Sequence, residues 1–147
     1  MDLGRIQLME CRDRSLKILE RISKKTNVSF SSMNDDERWL MLSLSALSLK
    51  SNRFYSEREV NEALIAWLQS GNGIMRIDHV ELRRMLIDFG LWRRRDGGHC
   101  YWLNEEADIR FAVLLAIFRR DDCNELINRL RLQACEEREA RKLARLA

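Results

Sequence analysis

Proline is absent from all 147 residues. A chain with no ring-locked backbone positions suits long helices joined by short links, and speaks against an extracellular β-sandwich or a disordered linker. Long apolar runs are scarce too. The longest, Phe111 to Phe118, falls far short of the roughly 20 residues that span a bilayer, so no membrane partner is expected. Met1 to Glu10 contains Asp2 and Arg5 but no apolar run, so no secretory leader is read there. Cys11, Cys100, Cys123 and Cys135 are widely separated, with no C-x-x-C pair, and His79 and His99 show no ligand spacing. Reduced thiols, a cytoplasmic location and no metal or other cofactor are therefore expected. The sequence also lacks a G-x-S-x-G elbow, a phosphate-cradling glycine loop and a paired metal-ligand motif, so the chain is read as non-enzymatic. A strong charge of one sign is the last absence. The 26 basic and 23 acidic residues are mixed along the chain, and a net charge of +3 gives no general attraction to polyanions.

What is present is a folded composition, 46% hydrophobic and 33% charged, of a length that suits one domain with helical extensions. Leu3 to Lys25 has no helix breaker after Gly4. Leu16, Leu19 and Ile22 recur at helical spacing with Ile18 alongside, which predicts one long amphipathic helix. Arg12, Arg14, Lys17, Arg21, Lys24 and Lys25 cover the remainder, either as a basic arm touching phosphates or as a solvated face. Asn27 to Met33 reads as a connector.

Asn34, three residues before Glu37, marks a helix start, because its side chain can accept from a first-turn amide while the glutamate reaches back. The helix, read over Asn34 to Lys50, is rich in apolar surface from Trp39, Leu40, Leu42, Leu44, Leu47 and Leu49. Phe54 and Tyr55 favour a short extended piece. Ser56 and Glu59 form an S-x-x-E capping box, and Val60, Leu64, Trp67 and Leu68 a helical stripe that Gly71, Asn72 and Gly73 end. Asp78 and Glu81 open the next helix. Its core face is Leu82, Met85, Leu86 and Phe89, and its opposite face centres on Arg84, flanked by Arg83, Val80 and Ile87. Gly90 suits a left-handed stop. Leu91 to Arg95 and His99 to Leu103 then flank Asp96-Gly97-Gly98, which supplies the positive φ of a tight hairpin. Asn104 is read as the cap of a further helix, apolar from Ile109 to Phe118. Asp122 and Glu125 are read as opening a last helix with Cys123, Leu126, Ile127, Leu130 and Ala134 as its stripe.

The order from Asn34 onward is helix, strand, helix, helix, strand, turn, strand. The expected fold is mainly α with a small β-hairpin: a winged helix-turn-helix core at 34–103, a long N-terminal helix and connector at 1–33, and two C-terminal helices at 104–147.

Three motifs add a resemblance. Y-S-E-R-E-V-N at Tyr55 to Asn61, L-R-R-M-L-I-D-F-G-L at Leu82 to Leu91 and R-R-D-G-G-H-C-Y-W at Arg94 to Trp102 make Arg53 to Leu103 resemble a bacterial family catalogued as domain of unknown function two thousand and eighty-seven. Its members are often joined to helix-turn-helix regulators, so the resemblance implies a setting in transcription. It carries no catalytic residue.

Six arginines carry the functional expectation of double-stranded DNA binding. Arg83 and Arg84 lie on the second helix of the helix-turn-helix pair, Arg93, Arg94 and Arg95 on the hairpin, and Arg76 in the preceding link. Asp78, Glu81, Asp88, Glu57, Glu59 and Glu62 oppose it, leaving eight basic and seven acidic residues in Arg53 to Leu103. Trp39, Trp67, Trp92 and Trp102 are read as core anchors. The flanking helices offer a homodimer face, since small DNA-binding modules gain by pairing. The rival reading is a non-catalytic adaptor that binds a protein partner on the same scaffold.

Overall fold

Helix α2 (Asp35–Ala46) lies at the centre of the computed structural model, and its own sequence sets its start. The Asn34 side chain accepts from the Glu37 amide at 2.8 Å, and the Glu37 carboxylate accepts from the Asn34 amide at 3.1 Å, so two first-turn donors are satisfied reciprocally. From Leu40 through Leu49 every side chain is buried. A helix apolar on most sides needs neighbours on most sides, and the rest of the chain supplies them. The structure describes residues 3–25, 27–69, 74–95, 97–106, 111, 114, 118 and 120–146.

Before α2 come α1 (Leu3–Ser23), β1 (Val28–Ser29) and a 3-10 turn over Phe30–Ser32. After it come α3 (Glu57–Gln69), β2 (Met75–Arg76), α4 (His79–Asp88), β3 (Trp92–Arg94), β4 (Tyr101–Leu103) and α5 (Arg120–Leu146). The chain is thus mainly helical with a few short strands. Leu19 and Ile22 of α1 are fully buried and Leu16 and Ile18 pack at the edge, as the periodicity predicts. Arg131 of α5 donates to the carbonyls of Ser23 and Lys25 at 3.3 and 3.2 Å, satisfying acceptors at the end of α1.

β3 and β4 form the antiparallel hairpin, with Trp92 paired to Leu103, Arg93 to Trp102 and Arg94 to Tyr101. Gly97 and Gly98 both take positive φ, at 91° and 71°. A third extended piece joins them: Tyr55 and Tyr101 exchange backbone hydrogen bonds at 2.8 Å in each direction. The sheet is therefore Tyr55, β4, β3. Trp92 closes it onto α2, its indole N–H donating to the Ala46 carbonyl at 3.0 Å.

The end of α4 follows from Gly90. With φ at 75°, Gly90 donates to Ile87 and Leu91 to Leu86, the paired bonds of a Schellman stop. Leu91 and Leu86 are both fully buried. Leu91 thereby takes the core place that helical spacing assigns to Phe89, which is the helix's C-cap and is 55% exposed.

Other expectations need correction. The connector after α1 contains β1, which pairs in parallel with β2, Val28 opposite Met75 and Ser29 opposite Arg76. α2 stops at Ala46 rather than near Lys50. The chain then tightens through Ser48 to Ser45 and Leu49 to Ala46 hydrogen bonds, and Asn52 adopts a positive φ of 56°. The last helix begins at Arg120, so Asp122 lies inside its first turn. Asn104 accepts from the Glu106 amide, as a cap does, and makes further bonds. It is buried and donates to the carbonyls of Gly90 and Leu91. The helix expected after it lies outside the described residues except at Phe111, Leu114 and Phe118, all buried. The expected helix stop at Gly71 to Gly73 and the Asp96 position of the hairpin turn also lie outside them. No helix among the described residues is long and apolar enough to cross a membrane.

Candidate nucleic-acid interface

Helix α4 is positioned from both ends. Asp78 caps it by accepting from the Val80 amide at 2.7 Å, and the Gly90 stop fixes where the chain leaves. Leu82 and Leu86 bury the inner face against α2 and α3. That leaves Arg84 exposed on the outer face and Glu81 and Asp88 exposed near the two ends.

Arg83 has a different place. Only 14% of its side chain is accessible, and its Nη1 donates to Glu57 at 3.1 Å and to Asn61 at 2.7 Å. This guanidinium ties α4 to α3. Spacing on a helical wheel cannot reveal it, because Glu57 and Asn61 lie on another helix.

The hairpin presents Arg93, Arg94 and Arg95, all exposed, together with exposed His99. The pairing register puts Arg93 and Trp102 on one face of the ribbon, and Trp92, Arg94, Tyr101 and Leu103 on the other. Arg94 lies close to the turn: a Cβ placed on Gly98 would sit 3.9 Å from its Nη1 and 3.5 Å from the Tyr101 hydroxyl. Arg76 is exposed at the end of β2.

Four acids of this region are engaged at the surface, while Glu81 and Asp88 make no ion pair among the described residues. Glu57 pairs with Arg83. Glu59 accepts from the Ser56 amide at 3.0 Å, while the Ser56 hydroxyl accepts from the Glu59 amide at 3.1 Å. The Ser56 backbone first, then its hydroxyl, and more weakly Arg53, hold the Glu59 carboxyl below its ordinary pKa, against a small opposing desolvation. Glu62 pairs with Arg58 at 3.1 Å, and Asp78 is the α4 cap. Arg76, Arg84, Arg93, Arg94 and Arg95 pair with no acid among the described residues. Each ion pair removes one charge of either sign and a capping carboxylate keeps its own, so the net charge of the segment stays near neutral.

One feature of the hairpin was not expected. Trp102 is half-buried and meets Phe54, 62% exposed, edge to face at 5.6 Å and 71°. With Arg53, Arg93, Asn52, Glu105 and Glu106 they line an open groove of about 480 Å³. Trp92 and Trp67 are core anchors as expected, whereas Trp39 and Trp102 are only half-buried. The strand alternation contains the signal for Trp102, since it lies opposite Arg93 rather than Trp92. Among the described residues, no group of His, Cys, Asp and Glu side chains converges as a metal site.

A model of a bacterial family, described as "Uncharacterized protein conserved in bacteria (DUF2087)", matches residues 28–103. The match begins at β1 and ends at β4, so it takes in α2 and the parallel pair as well as the segment with the three motifs. No curated protein and no solved structure matches the chain.

Proposed function

The chain belongs to the bacterial family DUF2087, and from that premise we propose that it is a winged-helix DNA-binding protein acting in transcription regulation. The observation that carries this reading is the pairing pattern of charges. Glu57, Glu59, Glu62 and Asp78 are engaged in caps and ion pairs, while Arg76, Arg84, Arg93, Arg94 and Arg95 stand exposed, with Glu81 and Asp88 exposed on the same helix as Arg84. The order α2, Tyr55 strand, α3, α4, β3, β4, with Tyr55 bridged to β4, supports a helix-turn-helix followed by a wing. In such a unit α4 is the helix that enters the major groove and β3–β4 is the wing that reaches phosphate or minor groove. Arg84 is then the residue placed to read a base, most naturally guanine, and the hairpin arginines hold the backbone. Arg83 contributes from beneath, by fixing α4 on α3.

Substituting Arg84→Ala and Arg94→Ala separately tests the assignment by titration with duplex DNA at low salt. Each is expected to weaken binding, and Arg94→Ala to flatten the salt dependence. Unchanged affinity in both variants excludes this surface. The exposed Phe54–Trp102 pair favours a second reading, a non-catalytic protein-interaction adaptor. It predicts a co-purifying protein partner whose binding is lost in Phe54→Ala, with no shift of DNA.

A further inference from the structure

The outer face of the hairpin sheet carries aromatic rings. Tyr55 lies opposite Tyr101, and Tyr101 opposite Arg94. The next row across the three extended pieces is therefore Phe54, Trp102 and Arg93. Tyr55, Trp92, Tyr101 and Leu103 are buried in the core, so strand alternation turns that row outward. The solvated face of an antiparallel sheet is ordinarily polar. Here Phe54, largely exposed, and half-buried Trp102 meet edge to face in its middle, inside the groove of about 480 Å³.

The charges around these rings are ordered. Arg93 is exposed beside Trp102, and Arg95, exposed as well, is one alternation nearer the turn. Arg95 still belongs to the ribbon, since its amide donates to the Cys100 carbonyl at 2.9 Å. Glu105 and Glu106, both exposed, border the groove just past the end of β4. None of these four makes an ion pair among the described residues, although Arg93 and the two glutamates line one groove. Arg53, the groove's other cation, is engaged by Glu59 at 3.8 Å and by the Tyr55 ring. The unpaired charges thus stand at two ends, positive toward the turn and negative at the base, with the rings between. From Trp102 to Asn104 alone is roughly 7 Å of strand.

A matching occupant has a flat ring in the middle, an anion at one end and N–H donors at the other. An α-amino acid carries its ammonium and carboxylate on one carbon, too close together to reach both ends. A protein's apolar side chain would cover the rings and leave both charged ends unmatched. We propose that the groove binds a nucleotide unit: the base against Phe54 and Trp102, its Watson–Crick edge donating to Glu105 or Glu106, and its phosphate on Arg93 and Arg95. Guanine is the favoured base. Its ring N–H and amino N–H lie side by side and suit a carboxylate, whereas uracil and thymine offer one N–H between two carbonyl oxygens. The unit is either a free mononucleotide or an unpaired base in a strand. The proposal does not depend on duplex binding through Arg84.

Isothermal titration calorimetry of the full chain tests this with four probes: 5′-GMP, 5′-UMP, and single-stranded pentanucleotides of thymine with and without one guanine. Guanine probes should bind about tenfold or more tighter than their pyrimidine counterparts, and Phe54→Ala should weaken them by a similar factor. Glu105→Gln combined with Glu106→Gln should erase the base preference. Arg93→Ala should weaken GMP more than guanosine, which lacks the phosphate. Arg84→Ala should leave GMP binding unchanged, which separates this groove from the duplex surface. The substituted side chains are exposed, and unchanged melting would show that each variant remains folded. The base preference is read on the wild type and needs no variant. Tight binding of the guanine pentanucleotide with weak binding of GMP identifies an unpaired base in a strand as the occupant, and comparable binding identifies the free nucleotide. No binding of either guanine probe, equal affinity for guanine and pyrimidine probes, or binding indifferent to Phe54→Ala overturns the proposal.

Discussion

At the scale of single residues, neighbouring arginines divide between holding the fold and standing exposed. Arg83→Ala removes two hydrogen bonds between α4 and α3 and should lower stability by about 1 kcal/mol, a charge-assisted contact discounted for its partly exposed acid. Arg84→Ala, at an exposed position, should change stability by no more than about 0.5 kcal/mol while weakening DNA binding. Urea denaturation beside DNA titration separates the two. Gly98→Ala combines strain at φ 71° with a Cβ 3.5 Å from the Tyr101 hydroxyl, whereas Gly90→Ala at φ 75° meets nothing within 4 Å. Each should cost about 1–2 kcal/mol from the left-handed backbone, since neither added Cβ comes closer than ordinary contact. Glu59 gives a pH signature. Its carboxyl is held below its ordinary pKa by Ser56, so its contribution is fully present above the unfolded carboxyl's pKa and is lost as pH falls through the folded one. Melting curves of wild type and Glu59→Gln should therefore differ at neutral pH and converge in acid. A gap that persists in acid would contradict the capping account.

At the scale of elements, helix ends were legible where a local side chain makes them. Asn34, Ser56, Asp78 and Gly90 each act within a few residues, and each does so as its spacing predicts. Partners distant in sequence were not legible. β1 is two residues long and exists by pairing with β2 at Met75–Arg76, which nothing near Val28 signals. Phe89 follows the α4 stripe, yet the Schellman turn gives its core place to Leu91. The candidate site follows the same division. The arginines of the exposed face were found by helical and strand period, while the role of Arg83 and the exposed Phe54–Trp102 pair depended on packing between elements. The strap between α5 and α1 is likewise non-local. Arg131→Ala should loosen it by about 1–2 kcal/mol, read as faster amide exchange over residues 19–25 with exchange in β3 and β4 unchanged. Uniformly faster exchange would mean that Arg131 supports the whole core instead.

At the scale of the whole molecule, a nearly neutral chain exposes five arginines that make no ion pair among the described residues, with Glu81 and Asp88 exposed beside Arg84. The central claim of the proposed function is that these arginines meet a DNA backbone. Fluorescence anisotropy of labelled duplex DNA, titrated with the full chain across a series of salt concentrations, tests it most directly. Contacts from four or five of Arg76, Arg84, Arg93, Arg94 and Arg95 should make log K fall against log salt with a slope of about −3 to −5, since each neutralised phosphate contributes about −0.9. Binding absent at low salt, or binding with a slope near zero, would contradict the account.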